Sequence, residues 1–196
     1  MIYNSKVVQD NLREIWETVS LSSFLEGKDW YFSAHNIAQN MSDEYQQPLE
    51  VVIGILSALS PQKSWQHNIE FTEEFLKTEG KICKHTTSSR VKARVIYECH
   101  KAMGNRKEFI ERILNGPKIV NFFNNILNPL DKNYLTVDTH HISICTQDYK
   151  LNRITSKQYK FLKEETINFA NEVKIIPCEL QAILWHHFRK TKRGGI

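Results

Sequence analysis

Residues 49–59, Leu-Glu-Val-Val-Ile-Gly-Ile-Leu-Ser-Ala-Leu, hold a single charge and are apolar nearly all round a helix. Pro48 suits a first helical position before them, and Ser60-Pro61 stops the run after them. A helix apolar on every face is stable in water only when other elements cover it. It is also too short to cross a bilayer, which takes ~20 apolar residues. The rest of the chain must therefore wrap around this segment.

What surrounds it reads as further helices. Lys6 to Val19 places Val7, Val8, Leu12, Ile15, Trp16 and Val19 at helical spacing. Asp29 is expected to cap a helix through Met41, and Ser64 one over Trp65 to Thr78 that Gly80 ends. Ser88-Ser89 opens Arg90 to Met103, stopped by Gly104. Lys107 to Leu114 and Lys118 to Leu127 flank the turn Asn115-Gly116-Pro117. Asp138 caps Thr139 to Thr146, Thr155 or Ser156 caps Lys157 to Val173, and Pro177 starts a helix to about Arg189. The expectation is an all-α protein of about ten helices forming one compact unit.

Composition narrows the class. The 196 residues are 41% hydrophobic, 11% aromatic and 24% charged, which excludes a disordered or fibrous chain. Seven Gly and five Pro argue against a β-sandwich or a Gly-rich phosphate-binding fold. The longest apolar run, 51–56, stops at Ser57, so no membrane span is expected. Met1 to Asp10 lacks the apolar stretch of a secretory signal, so a cytoplasmic protein is expected. Cys83, Cys99, Cys145 and Cys178 lie far apart, as small buried hydrophobes would, and do not space as metal ligands. The doublets His140-His141 and His186-His187 point about 100° apart on a helix, so neither doublet supplies two ligands to one ion; no metal or cofactor is expected. Net charge is +4. Arg189, Lys190, Lys192 and Arg193 crowd the last residues, as a solubilising end or as a nucleic-acid contact.

Three stretches break the helical pattern with polar residues. Ala58 to Trp65 ends the apolar helix in Ser60-Pro61-Gln62-Lys63. It reads as a plain stop signal, or as a rigid loop that pushes a side chain against a ligand. Leu114-Asn115-Gly116-Pro117-Lys118 is a tight turn between two helices. It is either a simple connection, or a place where helix-start amides and Lys118 meet a phosphate, or where a desolvated Lys118 becomes a nucleophile. Leu135 to His141 sets Asp138 at a helix start behind a short apolar run. There it caps, worth about 1 kcal/mol, or stabilises a developing cation, or both.

Taken in order, these pieces resemble the helix-hairpin-helix DNA glycosylases (the HhH-GPD superfamily), in particular the endonuclease III branch. Leu56 to Gln62 is similar to the family's Ser-Ala-Gln loop, Lys92-Ala93 to its Lys-Ala helix, and Leu114 to Lys118 to its hairpin. Val137-Asp138-Thr139-His140 matches its Val-Asp-Thr-His letter for letter, and Trp185-His186-His187 is similar to its last helix. The similarity runs collinearly over about residues 45–190.

The resemblance implies two helical lobes with a cleft between them: about 45–130 as the central lobe, with 1–44 and 131–196 forming the other. It implies that Gln62 or Lys63 is the wedge replacing a flipped base, that Asn115, Gly116 and Pro117 lie at a DNA phosphate, and that Asp138 is the essential carboxylate. Lys118 would be the amine that attacks the sugar, giving strand cleavage. Double-stranded DNA carrying a modified base would be the partner, bound by a monomer. Trp30, Tyr31, Trp65 or Phe122 could stack on the base, or sit in the core as most aromatics at helical spacing do. The hairpin here is about two residues shorter than the family's, and Pro117 lacks an N–H. The iron–sulfur cysteines are absent, and Arg189 to Arg193 stand in their place.

Ala58-Leu59-Ser60-Pro61-Gln62-x-x-Trp65-x-x-Asn68 also resembles small bacteriophage proteins of a divergent glycosylase-like branch. Related domains imply thymine hypermodification, in which a 5-substituted pyrimidine such as 5-hydroxymethyluracil is altered and not removed. Three activities therefore stand as expectations: base excision, base modification, and DNA binding without chemistry.

Overall fold

The computed structural model describes residues 4–83, 85–103 and 106–193, leaving aside the side chains of Lys192 and Arg193. These residues are all-helical, with no strand among them. In chain order the elements are α1 (Ser5–Glu17), α2 (Leu21–Lys28), α3 (Trp30–Glu44), α4 (Leu49–Ala58), α5 (Trp65–Lys77) and α6 (Thr87–Cys99). A 3-10 turn (His100–Ala102) then precedes α7 (Arg106–Leu114), α8 (Pro117–Leu127), α9 (Thr139–Thr146), α10 (Ser156–Glu172) and α11 (Pro177–Arg193). None of the described helices is long and apolar enough to cross a membrane.

The chain divides into two compact units, residues 1–33 with 128–196, and residues 34–127. In the first, α1 buries Val8 and Leu12, one turn apart, in a core with Leu162, Phe169, Leu180 and Leu184. Asn11 donates from Nδ2 to the Cys145 carbonyl at 2.9 Å, which ties α1 to α9. Helix α2 rides directly on α11: a Cβ at Gly27 would lie 2.3 Å from Ile183 Cα. Only glycine permits so close an approach.

The segment leading to α9 is pinned from both sides. Leu135 and Val137 are buried, and Tyr159 Oη donates to the Leu135 carbonyl at 3.2 Å while accepting from Val137 N at 3.0 Å. One phenol thus satisfies two backbone groups of a non-helical stretch that burial would otherwise leave unpaired.

The second unit is built around α4. Every residue from Val51 to Ala58 is buried, against α5, α6, α7 and α8. The expected central helix is therefore present. Ser64 caps α5 by accepting from His67 N. Asn124 donates from Nδ2 to Glu111 Oε1 at 2.8 Å, which fastens α8 to α7 across their turn.

Several boundaries differ from the sequence reading. Helix α2 escaped it, because its eight residues carry only a weak apolar stripe and are held by the Gly27 approach to α11. Asp29 both closes α2 and precedes α3, its carbonyl accepting from Ser33 N at 2.9 Å, and α3 runs past the expected Met41 to Glu44. Helix α6 begins at Thr87, before the Ser88-Ser89 pair expected to open it, and gives way to the 3-10 turn instead of continuing to Met103. Gly104, its expected stop, lies outside the described residues. Cys145 and Cys178 are buried as expected, whereas Cys83 and Cys99 are only half-buried.

Candidate functional site

Asp138 sits where the pinned segment meets α9. Its backbone is extended (φ −97°, ψ −177°), and Oδ1 accepts from His141 N at 2.8 Å. The carboxylate is half-buried and makes no ion pair, and Oδ2 has no protein partner among the described residues. The site therefore holds a carboxylate with one oxygen committed to the helix start and one free.

Behind it lies His141, fully buried. Thr166 Oγ1 donates to the Leu162 carbonyl, so it accepts from His141 Nε2, 2.8 Å away. The imidazole is therefore the neutral Nε2–H tautomer, with Nδ1 a buried lone pair lacking a partner. Burial pushes its pKa from 6.5 down to about 4, against a smaller opposing pull from Asp138. His140 turns the other way, onto the rings of Trp185 and Phe188.

The hairpin belongs to the second unit. Asn115 takes φ +45° and Gly116 φ +122°, and the Gly116 carbonyl receives Val120 N at 3.1 Å as α8 begins. A Cβ at Gly116 would meet nothing within 4 Å, so the glycine is required by its backbone angle and not by crowding. Asn115, Pro117 and Lys118 are exposed, and Lys118 has no partner among the described residues. Lys92 Nζ donates to the Leu114 carbonyl, so α6 braces the last turn before the hairpin.

Gln62 also has a left-handed backbone, φ +61°, in the loop after α4, and is exposed. It lines a cavity of about 240 Å³ together with His85, Thr86, Ser88, Ser89 and Lys92. Lys63 lies over the Phe71 ring at 5.1 Å instead. His85 stands edge-on to Phe71, and burial, reinforced by Lys63, holds its pKa below the usual histidine range. The sequence reading missed this wall, apart from Gln62 and the Lys-Ala pair. The signal was Ser88-Ser89 at a helix start with Lys92 one turn later.

The basic end is not a loose tail. Its residues continue α11, Arg189 stacks on Trp185 at 4.5 Å, and Lys190 donates to Glu26 Oε1 at 2.6 Å and Ser22 Oγ at 2.9 Å. The side chains of Lys192 and Arg193 lie outside the described part. Among the expected base-stacking rings, Tyr31 belongs to the core: it is buried and its hydroxyl donates to Gln181 Oε1 at 3.0 Å. Trp30 packs edge-on against it, while Trp65 and Phe122 are half-buried. No three His, Cys, Asp or Glu side chains come together as a metal site among the described residues.

Fold and site thus define an all-helical protein with a capped, partly free carboxylate in one unit and an open hairpin beside a polar cavity in the other. The chain matches the model of DUF7178, a family of unknown function, over residues 3–192, and it belongs to that family. No curated protein and no solved structure matches it.

Proposed function

We propose that this protein is a DNA glycosylase-like enzyme of helix-hairpin-helix type, which extrudes a modified base from duplex DNA and cleaves its N-glycosidic bond. The observation that carries the reading is Asp138, whose Oδ1 holds the helix start while Oδ2 faces no protein partner. A fixed carboxylate with one free oxygen suits the stabilisation of an oxocarbenium-like sugar or the activation of the attacking group. The hairpin supports it. Its Gly116 turn exposes the first turn of α8, and Lys118 stands there as a phosphate contact, or as the amine that extends the chemistry to strand cleavage. Gln62, on its left-handed loop, is the proposed wedge. Flipping costs a few kcal/mol, least for a damaged or mispaired base.

The protein would act as a cytoplasmic monomer, in the host cytoplasm if phage-encoded. The Ala58 to Asn68 stretch favours a second reading on the same residues, modification of a flipped 5-hydroxymethyluracil-type base.

The test is incubation with duplexes carrying uracil, 5-hydroxymethyluracil, oxidised pyrimidines or an abasic site, with borohydride present. Base release that falls at least about 10²-fold in Asp138→Asn supports excision. A covalent adduct lost in Lys118→Ala assigns the amine. No release on any duplex, with salt-sensitive binding intact, overturns excision in favour of base modification or a DNA-binding module.

A further inference from the structure

The cavity beside Gln62 has the chemistry of an anion site, and it is separate from the hairpin turn. Helix α6 opens onto it with no side-chain cap, because Thr86 Oγ1 faces His85 Nδ1 at 3.2 Å instead of the helix. The first intrahelical bond from this end is Arg90 N to the Thr86 carbonyl at 3.0 Å. The amides of Thr87, Ser88 and Ser89 therefore donate to nothing in the described protein.

A bare helix start is common, but a second observation sets this one apart. Ser89 is only 6% exposed, lines the cavity, and makes no side-chain hydrogen bond to the described protein. With no protein group to bond, the Ser89 hydroxyl is available to a ligand in the cavity. Lys92 follows Ser88 by four residues and Ser89 by three, so all three share a face of α6 and reach the same cavity. No carboxylate is among the lining residues.

We infer that this cavity binds a phosphate group, cradled by the first-turn amides of α6 and the Ser88 and Ser89 hydroxyls, with Lys92 supplying the positive charge. The volume, about 240 Å³, falls below the ~300–1,000 Å³ of ordinary small-molecule pockets. It accepts a phosphate head and leaves the remainder of the ligand outside. That phosphate is either a phosphodiester of a nucleic-acid strand or the monoester of a free nucleotide. Ile119, in the first turn of α8, forms part of the same wall, and Lys92 also holds the Leu114 carbonyl. An anion seated here would thus bear directly on the hairpin's support.

The experiment follows the backbone amides of residues 87–89 by NMR while inorganic phosphate, thymidine monophosphate or a short undamaged duplex is added. Saturable shifts at these amides are expected with phosphate. Tighter binding of the monophosphate assigns a nucleotide, and tighter binding of the duplex assigns the nucleic-acid backbone. Ser88→Asp places a carboxylate at the exposed helix start, where it suits the helix but repels an anion. It should weaken phosphate binding by at least about tenfold while the melting temperature holds or rises. Ser89→Ala should weaken it by a smaller factor. Absence of saturable shifts, or equal binding by Ser88→Asp and the parent, overturns the inference. Because no step requires base release, the result is independent of whether Asp138 is catalytic.

Discussion

The starts of α9 and α8 solve the same problem in opposite ways. Both helices begin at short turns, and both must dispose of amides that the helix itself leaves unpaired. In the first unit α9 is closed by its own chain: Asp138 takes His141 N, and Tyr159 fixes the backbone immediately before it. In the second, α8 begins with Gly116 at φ +122° and Pro117, whose ring removes one donor by having none. Its first two residues, Pro117 and Lys118, are exposed. A start closed by a carboxylate presents charge to a ligand, whereas an open one presents hydrogen-bond donors. The first suits a developing cation and the second suits a phosphate.

The largest stability effect should come from behind the closed start. His141 is neutral in the folded protein, with its pKa at about 4 against 6.5 when unfolded. Above pH 6.5 neither state binds a proton there, so the full stability is present. As pH falls from 6.5 towards 4, the unfolded chain takes up a proton that the folded one refuses, and stability drops by about 3 kcal/mol before levelling off. Urea unfolding at a series of pH values should show that loss. His141→Gln should reduce the steepness in the window by about one proton. An unchanged slope would mean that His141 is not the buried neutral group behind the cap.

The open start should break through its glycine. Gly116→Ala forces a side-chain-bearing residue to φ +122°, a strain of about 1–3 kcal/mol with no steric contact to add to it. The expected result is a lowered urea midpoint and faster exchange of α8 amides, with the α9 amides unaffected. A variant as stable as the parent would show that the turn does not need this angle.

These two starts were not equally legible in the sequence. Asp138 was readable because a cap is a local event: an acceptor, then a helix, with the apolar Leu135 and Val137 before it. The buried α4 was readable because eleven nearly uncharged residues admit few alternatives. Helix α2 was not, since what holds it is the close approach of Gly27 to Ile183, residues distant in sequence whose meeting no short pattern encodes. The same blindness hid the α6 cavity. Ser88-Ser89 looks like any helix opening until Gln62 and His85 are brought opposite it by the fold. At the basic end the run of cations suggested a solubilising end or a nucleic-acid contact, whereas Lys190 is held by Glu26, distant in sequence, and Arg189 by Trp185 one turn earlier on α11.

The smallest effect separates the two duties of Asp138. As a cap it contributes one hydrogen bond from His141 N, so Asp138→Ala should cost about 1 kcal/mol. Asparagine caps nearly as well as aspartate, so Asp138→Asn should stay within a few tenths of a kcal/mol of the parent. The isosteric amide keeps an acceptor for His141 N and removes the charge at the free oxygen. Thermal melts of the two variants therefore isolate the structural share, and base release by Asp138→Asn isolates the rest. If Asp138→Asn lost as much stability as Asp138→Ala, the carboxylate charge itself would be holding the helix start.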